Sequence, residues 1–574
     1  MLTITRTASH SSFTCRERTG LLPFSGPLIL PCASFYHIVD YERTTLLPAT
    51  GLSQTYSSRS PAFAIMDQPF PLERLKPSRS PSPRQLSPDQ LASLVQQLAD
   101  QTKNIRDQPY SPSAWLDRAA TLDALGYPEL AVGDAWKAER LATGMLAFAR
   151  ERKDRRWRLG QGSGFWMCDV DMDSDRQDDK DEVLLVRLQD HLAKAGLMMK
   201  SNLCSYPGSG YGRFIPQEYP WLSDRHRHRS DGVVAEINEN LSRNTVRTAA
   251  GKPYCEVKRC SFGLGGDTEA RPPTAFGMFA TCNIRQGTEI LLDRTELFGC
   301  IGPSGSRSKL TGAICGDPLH PNTKDDEGSM DLRWVRERLR GRAAETLLVC
   351  RVFLACVQQR NAHSAQAPAR CVTHVMARSE SAADHLDRHH LHPLDLPEIA
   401  RIVPTYHEQK PRMFRLDNDV AVPNEALQQF GIDIYTDERF DTWVLFTVAA
   451  RLDNNGWTSP TCAVFNPLFS LFNHSCEPNV DWRSSKDHRT IKMTTTKDVA
   501  KSEQLFVEYD SFEHKKPLQQ RRERLSKWID GPCLCSRCAR EEQESDGRKA
   551  DPQGGVDEEV SAETTAGSLV LSGH

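Results

Sequence analysis

Apolar residues recur along this chain with two periods, and the periods mark where helices and strands belong. Leu91, Leu94, Val95 and Leu98 share one helical face, with Ser87 or Asp89 placed to cap its start. Ala114, Trp115, Leu122, Leu125, Leu130, Ala131, Ala135 and Ala138 keep helical spacing on both sides of Gly126, which predicts two helices joined by a turn. Val183, Leu184, Val186, Leu188 and Leu192 predict another helix over 183–199. Two more fall around 331–359 (Trp334, Val335, Leu339, Leu347, Leu348, Val352) and 437–452 (Phe440, Val444, Leu445, Val448). Between them, 415–419 and 423–427 read as a turn and a capped helix. The second period is that of a strand. Ala275 to Ala280, a polar turn and the Ile290–Leu291 run read as strand, turn and strand, and Leu505 to Tyr509 as a buried strand. The charge-dense stretches 151–158 and 169–182 predict solvated loops, as does the Asp-Arg-His-Arg-His-Arg run at 224–229.

The helix pair around Gly126 resembles a tetratricopeptide repeat, with Ala131 and Ala138 as the small residues where paired helices touch. One such repeat does not bury its own face, so the helices over 91–106 and 183–199 are expected to complete it. Two readings follow: a groove for a peptide partner, or a helical cap packed on the rest of the protein.

Composition narrows the class. The chain has 574 residues, room for about two to four domains. Gly and Pro together number 70, so sizeable stretches are expected to stay unpacked. The apolar stretch Trp443 to Ala450 is too short to span a bilayer, which argues against an integral membrane protein. The net charge of −3 hides a skew. Nine acids and two bases follow Arg540, leaving residues 1–540 at +4, so nothing calls for direct nucleic-acid binding. Seventeen scattered cysteines, an odd number, point to a reducing compartment. Residues 1–65 are rich in Ser, Thr, Leu and Pro and poor in acids. They read as a disordered leader, or as sequence upstream of a start at Met66, with mitochondrial targeting as the weaker alternative. The expected location is nucleus and/or cytoplasm.

One cysteine cluster breaks the scatter. Cys533, Cys535 and Cys538 place three thiols within six residues, which suits a soft metal, and Zn²⁺ takes four tetrahedral ligands. Cys476, 57 residues before Cys533, is the expected fourth because it lies in the unusual run Phe-Asn-His-Ser-Cys-Glu-Pro-Asn at 472–479. A reactive or redox thiol cluster is the competing reading.

The order of these pieces resembles that of a SET-domain protein lysine methyltransferase. Ala-Phe-Gly-Met-Phe-Ala at 275–280 stands where that family has its Gly-rich cofactor segment. Asn-His-Ser-Cys-Glu-Pro-Asn at 473–479, a strand ending in Tyr509 and a post-SET Cys-x-Cys-x2-Cys follow in sequence. The long insert is similar to that of the SET-and-MYND subgroup and of fungal SET proteins with tetratricopeptide repeats, although no MYND zinc pattern is present. Cys300, Cys315, Cys350, Cys356 and Cys371 lack paired spacing, and His385, His389, His390 and His392 read as a solvated loop.

The resemblance implies an α+β fold of short twisted sheets closed by a pseudoknot, with a helical insert and a zinc-bound post-SET segment. It implies S-adenosylmethionine and Zn²⁺ as cofactors, and as partner a protein with an exposed lysine, histone tails included. It assigns catalysis and part of the lysine channel to Tyr509, and the channel's apolar wall to Trp457. Phe276, Gly277 and Met278 would contact the cofactor through their backbone, Asn473 and His474 would hold its amine and adenine edge, and Trp528 is the aromatic available to stack on it. Cys476, Cys533, Cys535 and Cys538 would bind the metal. Ala275 replaces the first Gly of the cofactor segment, and no second channel Tyr precedes the post-SET cysteines. A catalytically weak or inactive SET scaffold is therefore the alternative. The implied boundaries are a leader and linker over 1–90, tetratricopeptide-like helices over 91–200, a connecting segment over 201–250, SET parts over 251–300 and 451–530, the insert over 301–450, the post-SET segment over 531–540 and a disordered acidic tail over 541–574.

Overall fold

The computed structural model describes residues 66, 69–74, 86–162, 173–203, 211–214, 216–244, 246–260, 275–295, 297–300, 342–358, 391–402, 412–429, 432–458, 462–485, 489–509, 515–526, 528–529 and 532–549, and all belong to one compact unit, Ser58–His574. The leader over 1–65, the first part of the predicted 331–359 helix, His385, His389, His390 and the tail beyond 549 lie outside the described residues.

The described helices of eight residues or more are α1 (Pro88–Asp107), α2 (Pro112–Ala124), α3 (Pro128–Gly162), α4 (Asp173–Leu203), α5 (Asp231–Asn244), α6 (Ala343–Gln358), α7 (Val422–Gln429), α8 (Thr442–Asn455), α9 (Leu518–Leu525) and α10 (Ser536–Lys549). Ser87 caps α1 through a reciprocal pair: its Oγ accepts from the Gln90 backbone N–H at 3.2 Å, and the Gln90 side chain accepts from the Ser87 N–H at 2.8 Å. Gly126, at φ 88°, makes the turn between α2 and α3. The stretches 151–158 and 173–182 are helical rather than looped, lying in α3 and α4. Straight-chain charged residues are good helix formers, and the flanking apolar turns carry the helix through them.

Twelve strands form four small sheets among the described residues. They are β1 (Tyr211–Phe214), β2 (Cys255–Cys260), β3 (Ala275–Ala280), β4 (Glu289–Arg294), β5 (Phe298–Cys300), β6 (Arg412–Arg415), β7 (Trp457–Thr458), β8 (Cys462–Val464), β9 (Asn473–His474), β10 (Val480–Ser484), β11 (Thr490–Thr495) and β12 (Gln504–Val507). The sheet orders are β1-β6, β10-β11-β4, β2-β3-β12-β9 and β5-β8-β7. The last of the described strands, β12, lies inside its sheet. Leu505 pairs antiparallel with Met278 of β3, while Phe506 and Val507 pair parallel with Asn473 and His474 of β9. β12 thereby ties the 275–280 and 473–474 segments into one sheet.

Two apolar cores organise these elements. One joins α1, α2 and α3 to the insert, with Leu98, Ala119, Leu130, Ala131 and Ala135 packed in the same cluster as Phe353, Phe440, Val444 and Val448. The predicted repeat therefore buries its inner face in this shared core. Gly133 sets the spacing, because a Cβ there would lie 2.5 Å from Thr442 at the start of α8. Met66 and Phe70, assigned by sequence to an unpacked linker, are buried in the same core, with Phe70 5.8 Å from the Trp221 ring. The second core fills the sheets with Met278, Ile290, Leu291, Phe472, Ile491, Met493, Leu505 and Val507. Among the described residues, no helix is long and apolar enough to cross a membrane.

Candidate active site and metal centre

The segment ending in Asn473 is held from below by residues that the motif reading passed over. Asp293, buried on β4, accepts from the backbone N–H groups of Leu468 and Phe469 at 2.9 and 2.7 Å. Burial pushes its carboxyl up to about 6 against those two bonds. Asn466, also buried, donates to the Asp293 carbonyl at 3.0 Å and accepts from Trp457 Nε1 at 3.3 Å. Trp457 is thereby fixed edge-on and packs against the sheet core. These partners are distant in sequence and belong to no motif. The available signal was only that Asn466 and Asp293 are polar residues flanked by apolar runs.

Asn473 spends its amide on the protein, donating from Nδ2 to the Phe276 carbonyl at 2.9 Å, which leaves Oδ1 as an acceptor. Gly277 lies where side chains converge. A Cβ there would meet Gln504 Nε2 at 2.4 Å, and Asn473 Nδ2 and Cys260 Sγ at 3.1 Å. The close approach that requires glycine is thus supplied by the protein's own amides and a thiol. Phe276 carries the Arg229 guanidinium 3.9 Å from its ring centroid. Met278 is fully buried in the sheet core.

His474 is buried, and both ring nitrogens are engaged. Nδ1 accepts from the Tyr509 backbone N–H at 3.2 Å. A backbone N–H only donates, so in the neutral ring the proton sits on Nε2, which lies 3.3 Å from Cys476 Sγ and donates to it. Burial holds the ring neutral, pushing its pKa down to about 4. The expected strand to Tyr509 ends at Val507, and the His474 side chain joins the segment just beyond it, where Tyr509 lies, to the cysteine cluster; any hold on an adenine edge falls to its backbone.

Tyr509 is anchored at two points. Besides the bond to His474, its hydroxyl donates to the Phe472 carbonyl at 3.0 Å. Burial raises its pKa well above the usual phenol range, with Cys533 adding to the effect, so it stays protonated at neutral pH. Its ring lies 5.2 Å from His474, and Trp528 meets it edge-on at 6.5 Å.

The sulfurs of Cys476, Cys533, Cys535 and Cys538 all lie within 4.8 Å of one another, and the Cys476 and Cys538 sulfurs are 3.6 Å apart. A zinc with bonds of about 2.3 Å needs tetrahedral sulfurs roughly 3.8 Å apart, so the four thiols fit one ion. The Cys476 backbone N–H also donates to Cys535 Sγ at 3.4 Å. Leu525 is fully buried beside the cluster, and Trp528 and Ile529 pack against it. The acids assigned to a free tail begin inside α10. Glu541 and Glu542 pair back to Arg521 and Arg522 on α9 at 2.7 and 2.6 Å.

A second polar cluster corrects the reading of His226 and His392 as solvated; the run at 224–229 begins as a short helix, Asp224–Arg227, with Asp224, Arg225 and His228 exposed. His226 and His392 are buried and stack at 5.3 Å, with their planes 12° apart. His226 Nε2 is 2.8 Å from Asp395 Oδ1, and Nδ1 is 3.0 Å from Ser223 Oγ. Fully buried Arg451 donates to the His226 and Ile399 carbonyls. Histidine rings bury well when their nitrogens find partners, and one of these, Asp395 on His226, is 169 residues away in sequence. The atoms of His226, His392 and Asp395 are close enough to share a metal. However, imidazole lone pairs lie in the ring plane, two nearly parallel planes do not converge on one ion, and the Arg225 guanidinium already sits on Asp395 as its cation.

Comparison with known proteins places this geometry. Residues 275–510 match the family model described as the SET domain. The chain carries a SET domain. Over 90 residues it is 32% identical to a SET and MYND domain-containing protein of Dictyostelium discoideum, covering 16% of this chain and 17% of that protein. Over 75 residues it is 40% identical to the histone-lysine N-methyltransferase SET5 of Yarrowia lipolytica, covering 13% and 17%. The chain thus spans about 17% of the length of these curated relatives. Among solved structures, the SET domain of LSMT bound to lysine and AdoHcy overlays loosely, with a TM-score of 0.24 and 14% identity over 49% of this chain and 54% of that one. In this SET domain, Phe276, Gly277 and Met278 on β3 meet Asn473 on β9, and His474 carries the link onward to Tyr509 and the cysteines.

Proposed function

We propose that this protein transfers a methyl group from S-adenosylmethionine to the side-chain amine of a lysine in a protein substrate, with histones as the first class to test, and that Zn²⁺ on Cys476, Cys533, Cys535 and Cys538 holds its post-SET segment. The observation that carries the reading is Tyr509, tied through its backbone to His474 and through its hydroxyl to Phe472.

When bound, S-adenosylmethionine supplies a sulfonium methyl open to in-line displacement by an amine. The residues of this chain would do the rest. Tyr509 stays a neutral phenol, so it orients and does not act as a base. With its proton committed to the Phe472 carbonyl, its oxygen lone pairs are left to accept from the amine N–H. The fixed Trp457 indole would wall the channel and exclude water, which favours the neutral amine. Asn473 Oδ1 is the acceptor left for the cofactor's amino group. Zn²⁺ would fasten the chain bearing Trp528 against Tyr509. One observation favours the alternative of a cofactor-binding scaffold without turnover: the ring facing Tyr509 is Trp528, which has no hydroxyl.

Labelled S-adenosylmethionine, mixed histones and cell lysate test the proposal beside Tyr509→Phe. Transfer by the parent protein should fall about 100-fold in Tyr509→Phe, with cofactor binding retained. Binding without transfer in the parent protein supports the scaffold reading, and no binding rejects both. His474→Ala should lose transfer together with zinc, because that ring touches both Tyr509 and Cys476.

A further inference from the structure

Arg521 on α9 has no exposed surface, yet it carries a full positive charge. Its Nη2 lies 3.6 Å from Cys538 Sγ and 2.7 Å from Glu541 Oε2. Its Nη1 donates to the Lys516 carbonyl at 2.6 Å. Its Nε is buried without a hydrogen-bond partner. A buried cation is costly unless an opposite charge faces it. Glu541 supplies only part of that charge, because its other oxygen, Oε1, is bonded to Arg537 Nε at 2.7 Å. Four protonated thiols would leave Arg521 undercompensated. Four thiolates around one dication carry a net charge of −2 and would satisfy it.

We infer that Arg521 is the charge-compensating residue of the cysteine cluster, that Glu541 holds it there, and that zinc retention depends on this pair as well as on the four sulfurs. The inference rests on the zinc reading of those cysteines. Arg521 is a positioning residue: it ligates nothing, but it lowers the cost of gathering four thiolates and locks α9 to α10. Groups outside the ligand set commonly alter metal affinity about 10- to 100-fold.

The test uses the full chain loaded with zinc, and follows metal transfer to a chromogenic chelator and thiol alkylation by iodoacetamide. Arg521→Met keeps the bulk and removes the charge, and should release zinc about 10-fold faster or more. Arg521→Lys should recover a large part of the loss. Glu541→Gln should fall between the parent protein and Arg521→Met. Cobalt in place of zinc should show altered thiolate-to-metal absorption in Arg521→Met, which a loss of packing elsewhere would not produce. Release from Arg521→Met at the parent rate overturns the inference, as does equal impairment of the Met and Lys variants. If Arg521→Met fails to fold, Glu541→Gln decides: faster release supports the inference, and unchanged release overturns it. A parent protein that binds no zinc and alkylates at all four thiols instead sinks the ligand assignment itself.

Discussion

Two places in this molecule join segments that are far apart in the chain, and they differ in what the joint needs. Where α2 and α3 meet α8, Arg118 bonds Asp134 at 2.7 Å and Asp441 at 3.0 Å, and Lys137 bonds Asp441 at 3.1 Å, all four being buried. Arg118 and Asp441 are 323 residues apart. Two cations and two anions cancel, Trp115 lies under both cations at 4.9 and 4.3 Å, and Asp441 also caps α8 by accepting from the Thr442 N–H at 2.8 Å. Burial alone would raise the Asp441 pKa, but Arg118 and Lys137 outweigh it and hold the carboxyl down to about 2. At the C-terminal end, four donors of one kind gather with a small apolar cluster behind them. The helical joint is electrically complete from its own residues. On the zinc reading proposed above, the cysteine joint takes its cation from outside, and Arg521 is the buried charge that the described residues set against a cluster sulfur. One joint is permanent and the other is conditional.

The contrast breaks most visibly on metal removal. Chelation, or Cys535→Ser, should strip zinc and loosen 515–549 while leaving the helical core folded, since structural zinc sites contribute on the order of 10 kcal/mol of apparent binding free energy. Hydrogen exchange resolved by segment, with metal analysis, checks this, and unchanged zinc content in Cys535→Ser rejects the ligand set. Next in size, Asp441→Asn should cost about 3–5 kcal/mol by leaving Arg118 and Lys137 short of charge. Urea unfolding measures it. A double variant with Lys137→Met should lose less than the sum of the two single losses, and additivity would mean that the four charges do not act as a unit.

The buried histidine pair sharpens the comparison through pH. Burial, with the charge of His226 adding to it, pushes His392 down to about 3. Its unfolded value is near 6.5, so the unfolded chain binds the proton first. The stability this group contributes is complete above about pH 6.5 and is lost as pH falls toward 3, on the order of 3 kcal/mol between pH 7 and 4. Urea midpoints across that range should fall more steeply for the parent protein than for His392→Gln, and parallel curves would remove His392 from the account. The smallest effect is Ser87→Ala, which should lower stability by about 1 kcal/mol through loss of the reciprocal cap on α1. A change in thermal midpoint too small to measure would show that this end of α1 is frayed.

Much of the architecture was legible because its signals are local. The face of Leu94, Val95 and Leu98, the turn at Gly126, the strand at Ala275–Ala280 and the run 473–479 each announce themselves within a dozen residues. The α+β class and the SET domain follow from those runs in their order. The misreadings were mostly of polar segments, with Met66 and Phe70 as apolar exceptions that pack into the helical core. The run at 224–229 and His392 look solvated by composition, and Asp224, Arg225 and His228 are exposed, yet His226 and His392 stack in the interior, where Asp395 meets the His226 ring and Arg451 bonds its carbonyl. The acids after Arg540 look like the start of a free tail, yet Glu541 and Glu542 complete α10 against α9.

Periodicity assigned most element types, and the order of the motifs carried the resemblance that implied the fold class and four candidate soft ligands, because those signals are written along the chain. Which charge faces which emerged only once the chain had folded: Arg118 with Asp441, His474 between Tyr509 and Cys476, Arg521 against Cys538. Electrostatic and hydrogen-bonding partners are chosen by distance through space, and burial then multiplies the consequence of each pairing.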